Sequence, residues 1–290
     1  MSVGRRSLLL SLLFGCLLLL AAGAASAQDE AGFTETVVTL DNGVVATPNQ
    51  PVSDEPVPAV LMLHGFASYR DEVGEMYKRL AAALAERGIG SLRIDFRGWG
   101  ESAGGMENST VVGMVEDAAA GYAYLSGLDF VDSSRIGLIG FSLGGRIAIV
   151  SAGQNPDWYQ SMVLWSAGGN LAPDFLGQEY VDAAAADGAV TIDLGWREVT
   201  LGAGFFDSLT AFDVEVEYPK YSGDVFIVAG TDDPDPAEYL PWYLAHAQGA
   251  LRGAYLVPGG DHIYATLTDD LSMSNSVIET TAAWLAISLK

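Results

Sequence analysis

Ser142 lies in the run Gly140, Phe141, Ser142, Leu143, Gly144, between the apolar stretch 136–141 and a helix-like segment that opens at Leu143. A Gly-x-Ser-x-Gly at a strand-to-helix junction makes a sharp, strained turn that lifts a hydroxyl above the end of a sheet. Glycines flank the serine because side chains there would collide across so tight a bend. The helix start beside it turns the positive end of its dipole toward the hydroxyl and favours negative charge developing there. No lysine follows the glycines, so a Walker-type phosphate loop is not expected.

A serine hydroxyl is a poor nucleophile at neutral pH; it needs a base to take its proton and a carboxylate to orient that base. The chain has 3 histidines. His246 falls inside the helical pattern "AEYLPWYLAHAQ" and reads as structural. His64 ends the run "AVLMLHG" and reads as a residue shaping the loop that follows. His262, in "PGGDHIY" just after the last strand-like segment, is the expected base. The segment "VFIVAGTDDPD" offers Asp232, Asp233 and Asp235 on the loop after the preceding strand, and placement favours Asp233, with Asp232 open as an alternative. An acidic Asp-Pro turn is the competing reading of that loop. Asp261, adjacent to the histidine, reads as a turn residue. A forming oxyanion needs preset donors, each typically worth about a hundredfold or more in rate. The N–H of Leu143 supplies one, and the loop after "LMLHG" makes the N–H of Phe66 the natural second.

Residues so far apart in sequence need a frame. From "AVLMLHG" (59–65) onward, apolar runs alternate with helical patterns: "SLRIDF" (91–96), "RIGLIGF" (135–141), "SMVLWSA" (161–167), "DVFIVAG" (224–230) and "GAYLVPG" (253–259) as strands. Helices are expected over 74–88, 112–127, from 143, around 236–248 and 272–288. Such alternation implies a mostly parallel sheet with helices on both faces, and near-continuous apolar runs imply strands covered on both sides. Ligands of these sheets sit beyond the carboxyl ends of the strands. Upstream, "TETVVTLDNGVVATP" alternates around Asn42-Gly43 and predicts an antiparallel edge hairpin, followed by a proline-broken loop "NQPVSDEPVP". Residues 168–221 are too long for one crossover and too apolar for a floppy loop, so they read as a cap insertion. Its Trp196, Phe205 and Phe206 are suited either to roof a pocket or to anchor the insertion.

At 290 residues, 50% of them apolar, the chain suits one large domain with a sizeable core. Residues 1–27, with Arg5-Arg6, a long apolar stretch and a small-residue exit at Ala25-Ser26-Ala27, read as a secretory signal peptide. The expected localisation is therefore secreted or periplasmic, with the domain spanning 28–290. A membrane anchor through residues 7–27 and lipidation at Cys16 are the alternatives. Cys16 is the single cysteine, so the processed chain would carry no disulfide, thiol nucleophile or cysteine metal site. Processing leaves 12 basic against 37 acidic residues, a net charge of −25. That excess repels nucleic acid and anionic lipid, so neither is an expected partner, and a membrane is one only if the leader is retained. No metal-ligand cluster or dinucleotide fingerprint is evident, and no cofactor or metal is expected.

The blocks "LMLHGF", "LAERGIGSLRIDFRGWGES", "VEDAAAGYAYL", "VDSSRIGLIGFSLGG", "VLWSAG", "VTLGAGFFDSL", "AGTDD" and "GGDHIY" resemble, in order, the α/β-hydrolase superfamily, and within it the single-domain esterases of the cinnamoyl or feruloyl type. They cover most of residues 58–265. The resemblance implies an α/β-hydrolase fold with a short cap over an acyl pocket. It maps the nucleophile to Ser142, the acid to Asp233, the base to His262 and the oxyanion donors to Phe66 and Leu143. Phe141, Trp99 and Ala229 depart from the histidines frequent at those positions, and "DPDPAEY" lacks the usual Val-Pro after the acid. Asp95 and Arg97 in "RIDFRGWGES" are expected to brace the loop beside the site. The implied activity is hydrolysis of carboxylic esters of short aliphatic or aromatic acids through an acyl-enzyme on Ser142. The alternatives are a serine peptidase or amidase related to prolyl oligopeptidases, and a noncatalytic binding protein that retains the fold.

Overall fold

The computed structural model describes residues 32–290; the leader and Cys16 lie outside the described residues. Strands β1 (Phe33–Glu35), β2 (Val38–Thr39), β3 (Val45–Pro51), β4 (Val57–Leu63), β5 (Gly90–Ile94), β6 (Val131–Phe141), β7 (Ser161–Trp165), β10 (Asp224–Gly230) and β11 (Arg252–Val257) form one sheet in the order β1-β3-β5-β4-β6-β7-β10-β11, with β2 also on β3. From β5 to β11 every neighbouring pair is parallel; β1, β2 and β5 pair antiparallel with β3. The crossovers are made by α1 (Met76–Ala85), α2 (Val111–Ser126), α3 (Leu143–Gln154) and α7 (Pro234–His246), and α8 (Ser272–Ser288) closes the chain.

Successive strand residues point to opposite faces, which sorts the core into two layers. Leu61, Leu63, Leu92, Ile94 and Leu138 pack with Met114 and Ala118 of α2 and Ile147 and Ala148 of α3. Val60, Met62, Ile139, Val163 and Val228 pack with Leu80 and Leu84 of α1 and Val277, Ile278 and Leu285 of α8. The mostly parallel sheet with helices on both faces is therefore as expected. Among the parallel strands β11 is the exception to two-sided cover: it forms one edge of the sheet, and its residues alternate between exposed and half-buried up to buried Val257.

The hairpin expected at Asn42-Gly43 is present, with Val38 and Thr39 paired to Ala46 and Val45. The loop expected over 49–58 starts later, because β3 continues through Pro48 to Pro51. Proline removes a ladder donor, and β3 tolerates it where its outer partner is interrupted. The break between β1 and β2 falls opposite residues 47 and 48.

The insertion carries structure of its own. Helix α4 (Gln178–Asp187) leads into an antiparallel hairpin of β8 (Ala189–Asp193) and β9 (Glu198–Gly202), then α5 (Ala203–Ser208) and α6 (Val214–Glu217). Phe205 and Phe206 are buried and anchor it to the main core, whereas Trp196, at the hairpin tip, is 68% exposed.

Polar bracing fixes the loops above the sheet. Asp95, fully buried at the end of β5, accepts the Arg70 N–H at 2.6 Å, its guanidinium at 2.5 Å and the Glu101 N–H at 2.9 Å. Arg97 pairs with buried Asp117 at 2.5 Å. His64, just past β4 and 1% exposed, donates from Nδ1 to the Gly65 carbonyl at 2.8 Å and accepts the Phe96 N–H on Nε2 at 3.2 Å. Burial lowers its pKa to about 4, against partial support for the cation from the Gly65 carbonyl. Because the fold binds this proton more weakly than the unfolded chain does, the contribution is full above pH 6.5 and is lost as pH falls toward 4. We expect urea unfolding to show a stability decline of up to ~3 kcal/mol across that window from this group, and His64→Gln to flatten the decline. An unchanged slope in the variant would count against it.

Candidate active site

Between β6 and α3 stands a single residue, Ser142, with φ 53° and ψ −119°. A non-glycine residue there carries strain of about 1–3 kcal/mol, held by what surrounds it. The Ser142 N–H donates to the Trp165 carbonyl of β7 at 2.9 Å. A side chain at Gly140 would strike the backbone of Gly144, and one at Gly144 would strike the carbonyls of Leu63 and His64. The flanking glycines thus let α3 start directly against the end of β4.

The structure brings Ser142, His262 and Asp233 into one hydrogen-bonded line. The Ser142 hydroxyl donates to His262 Nε2 at 3.0 Å, and His262 Nδ1 donates to Asp233 Oδ2 at 2.8 Å. Asp233 immediately precedes α7 on the loop after β10 and is 9% exposed; His262 lies on the loop after β11. Asp232 is exposed and contacts the Thr231 hydroxyl instead, so of the two candidates Asp233 alone reaches the imidazole. Asp261 accepts the N–H groups of Ile263 and Ala265, as a turn residue does. His246 stacks on Trp242 in the last turn of α7, about 19 Å of helix away from the first turn. The ring of Phe141 packs against His262 at 5.2 Å, and Ser166 donates to the His262 carbonyl at 3.0 Å. These contacts fix the imidazole's position.

Leu143 is the first residue of α3, where N–H groups have no intrahelical acceptor. Phe66 lies on the loop after β4; among the described residues neither its N–H nor that of Leu143 is donated to a protein acceptor. The Phe66 loop is held from beneath by Glu72, a residue the sequence reading missed. Glu72 is 1% exposed with φ 63°; its carboxylate accepts the Gly65 N–H at 2.7 Å, the Ser68 hydroxyl at 2.5 Å and the Val73 N–H at 2.9 Å. Burial pushes its pKa up while those three hydrogen bonds pull it back. In "SYRDEVGE" nothing distinguishes Glu72 from its acidic neighbours, so no sequence signal marks it.

Two cavities open onto Ser142. One of about 140 Å³ is bounded by Leu143, Gly168, Leu171 and Pro236. The other, about 510 Å³, is walled by Phe66, Phe141, Ile263 and Leu267, with Trp196 and Arg197 of the β8–β9 tip over it. Of the three cap aromatics, Trp196 roofs while Phe205 anchors, packing on Phe66 at 5.6 Å. Among the described residues no group of three or more His, Cys, Asp or Glu side chains could hold a metal ion, and no helix is long and apolar enough to cross a membrane.

The family described as serine aminopeptidase, S33, matches residues 54–190, just under half of the chain. An uncharacterised Mycobacterium tuberculosis protein is 38% identical over 99 residues, 34% of this chain and 33% of its own length. The chain thus aligns with about a third of the length of that curated relative. In structure it is similar to the Butyrivibrio proteoclasticus protein Est1E bound to ferulic acid, with a TM-score of 0.69, 21% identity and coverage of 87% of this chain and 98% of that one. It is also similar to the monoacylglycerol lipase of Paleococcus ferrophilus, with a TM-score of 0.64, 18% identity and coverage of 84% and 99%. The parallel sheet, its helical layers and these structural matches show that the chain has the α/β-hydrolase fold.

Proposed function

We propose that the protein is a serine hydrolase that cleaves carboxylic esters of short aliphatic or aromatic acids through an acyl-enzyme on Ser142. The unbroken run of hydrogen bonds from Ser142 through His262 to Asp233 is the observation that carries this reading. His262 takes the hydroxyl proton as Ser142 Oγ attacks the ester carbonyl, and Asp233 stabilises the imidazolium that forms. The N–H groups of Phe66 and Leu143 receive the negative oxygen of the tetrahedral intermediate. Collapse expels the alcohol, which takes its proton from His262. Water then attacks the acyl-serine by the same path, with His262 again the base. The two cavities provide separate room for the acyl and alcohol halves of an ester.

Support also comes from what a noncatalytic role leaves unexplained. Strain at Ser142 and the small-residue approach of α3 to β4 serve no purpose in a surface that only binds. The match to a family described as serine aminopeptidase favours a second reading, amide or peptide cleavage by the same groups.

A fluorophosphonate probe is expected to label one serine in the wild type and none in Ser142→Ala; retained labelling in the variant would refute the reading. In a p-nitrophenyl ester series the wild type turns over acetate to hexanoate and cinnamate faster than matched dipeptide amides, and the reverse ranking would select the peptidase. His262→Ala should lower kcat/KM by at least about a thousandfold, whereas His246→Ala stays within about twofold; a reversed pattern in steady-state kinetics would overturn the assignment of the base. For residues 1–27 the proposal is export with removal after Ala27, which N-terminal sequencing of secreted protein checks by finding Gln28 first. Retention of Met1 or Ser2 in the exported form would favour the anchor instead.

A further inference from the structure

The larger cavity beside Ser142 holds a cation without a counter-ion. Arg197 lies at the tip of the β8–β9 hairpin and lines this cavity, and its Nη1 donates to the Ala67 carbonyl at 2.7 Å. That is the one hydrogen bond recorded for its side chain among the described residues, and no carboxylate there lies within 4.0 Å of it. Among the described residues Arg79, Arg146, Arg252 and Lys290 also have no carboxylate partner within 4.0 Å, so what sets Arg197 apart is its place in the wall of this cavity rather than its being unpaired. Arg70, Lys78, Arg87, Arg93, Arg97, Arg135 and Lys220 all have carboxylate partners. The one carboxylate lining the cavity, Glu72, is spent on Gly65, Ser68 and Val73.

A guanidinium has five N–H donors in a fixed fork that suits a carboxylate, and apolar walls strengthen such a contact by excluding water. Here Phe66, Phe141, Ile263 and Leu267 line the same cavity as Ser142 and the arginine. Resting on the ester-hydrolase reading, we propose that this cavity is a subsite for the half of the substrate that has an apolar or aromatic body ending in a carboxylate, with Arg197 as the partner of that anion. The other half of the ester occupies the smaller cavity, whose volume of about 140 Å³ admits only a short group; the arginine that lines it, Arg146, is buried and donates to the carbonyls of Leu209 and Phe212, and Asp233 and Asp235 stand beside it. The substrate class is thereby narrowed from neutral esters to esters bearing a free acid remote from the scissile bond.

The test compares two ligands of like shape, 3-phenylpropanoate and 3-phenylpropan-1-ol, by isothermal titration calorimetry on the wild-type protein. Expected is at least about tenfold tighter binding of the carboxylate, falling as salt is raised. Arg197→Gln, which keeps a donor for the Ala67 carbonyl but removes the charge, should abolish that ratio, and Arg197→Lys should restore part of it. Equal affinity for the two ligands in the wild type, no measurable binding of either, or a ratio unchanged in Arg197→Gln would each overturn the proposal. A kinetic arm uses methyl 3-phenylpropanoate bearing a 4-acetoxy group against its free acid, and 4-nitrophenyl 4-carboxycinnamate against its methyl ester. In one of these pairs the acid should have the higher kcat/KM by about tenfold or more, and the Arg197→Gln protein should lose the difference. Absent ester turnover combined with an intact binding ratio would refute the hydrolase reading while leaving the anion subsite standing.

Discussion

The contact on which the rest of the site depends is backbone against backbone, where Gly144 at the start of α3 meets the carbonyls of Leu63 and His64 at the end of β4. No side chain fits there, so the helix begins at the sheet's edge, and Ser142 must adopt φ 53° to make the turn from β6. The same approach brings the loop after β4 alongside the serine. A strained residue persists only where its surroundings over-determine it, and here β6, β7 and β4 all hold the turn. Ser142 donates its N–H to β7, and β6 pairs with β4 on one side and β7 on the other.

The parallel sheet then performs the gathering. Each parallel strand of the main sheet delivers its following loop to the same edge: Phe66 after β4, Ser142 after β6, Asp233 after β10, His262 after β11. The hydroxyl and imidazole are 120 residues apart in sequence, and the imidazole and carboxylate 29, yet both pairs lie within hydrogen-bond distance. Burial of Asp233 on one side of the imidazole and partial exposure of His262 on the other separate the two ends of the relay. Ser142 and His262 line both cavities, whereas Asp233 lines only the smaller one.

Much of this is written in the sequence because it follows from local rules. Apolar runs of five to seven residues that alternate with helical periodicity give the strands and helices of the sheet, and a helix such as α8 falls on the expected 272–288. Gly140, Ser142 and Gly144 state the turn outright. What escaped was set by tertiary context. Pro51 reads as loop, yet β3 runs on to it because Asn49 to Pro51 find a partner in β1, while Pro48 falls where the outer neighbour is interrupted. Phe205 and Trp196 are chemically similar neighbours in the cap, and only packing decides that one is buried on Phe66 and the other left 68% exposed. Glu72 is one acid among many until the fold buries it under the Phe66 loop with three donors.

Chemistry and selection are built on different parts of the chain. The groups proposed to react stand on the loops of the sheet, whose core is close-packed on both faces and resists change. The groups over the larger cavity stand on a two-stranded hairpin that shares no ladder with that sheet. The two parts are nonetheless joined at the loop that presents the Phe66 N–H: Phe205 packs on the ring of Phe66, and Arg197 donates to the carbonyl of Ala67. With Glu72 fixing the same loop from the opposite side, its backbone is clamped between cap and core. In the proposed reaction, a substrate group under the hairpin would therefore adjoin the loop assigned to receive the oxyanion. On that reading, the hairpin's contact with substrate and the oxyanion donor at the serine meet in one short stretch of backbone, residues 65–68.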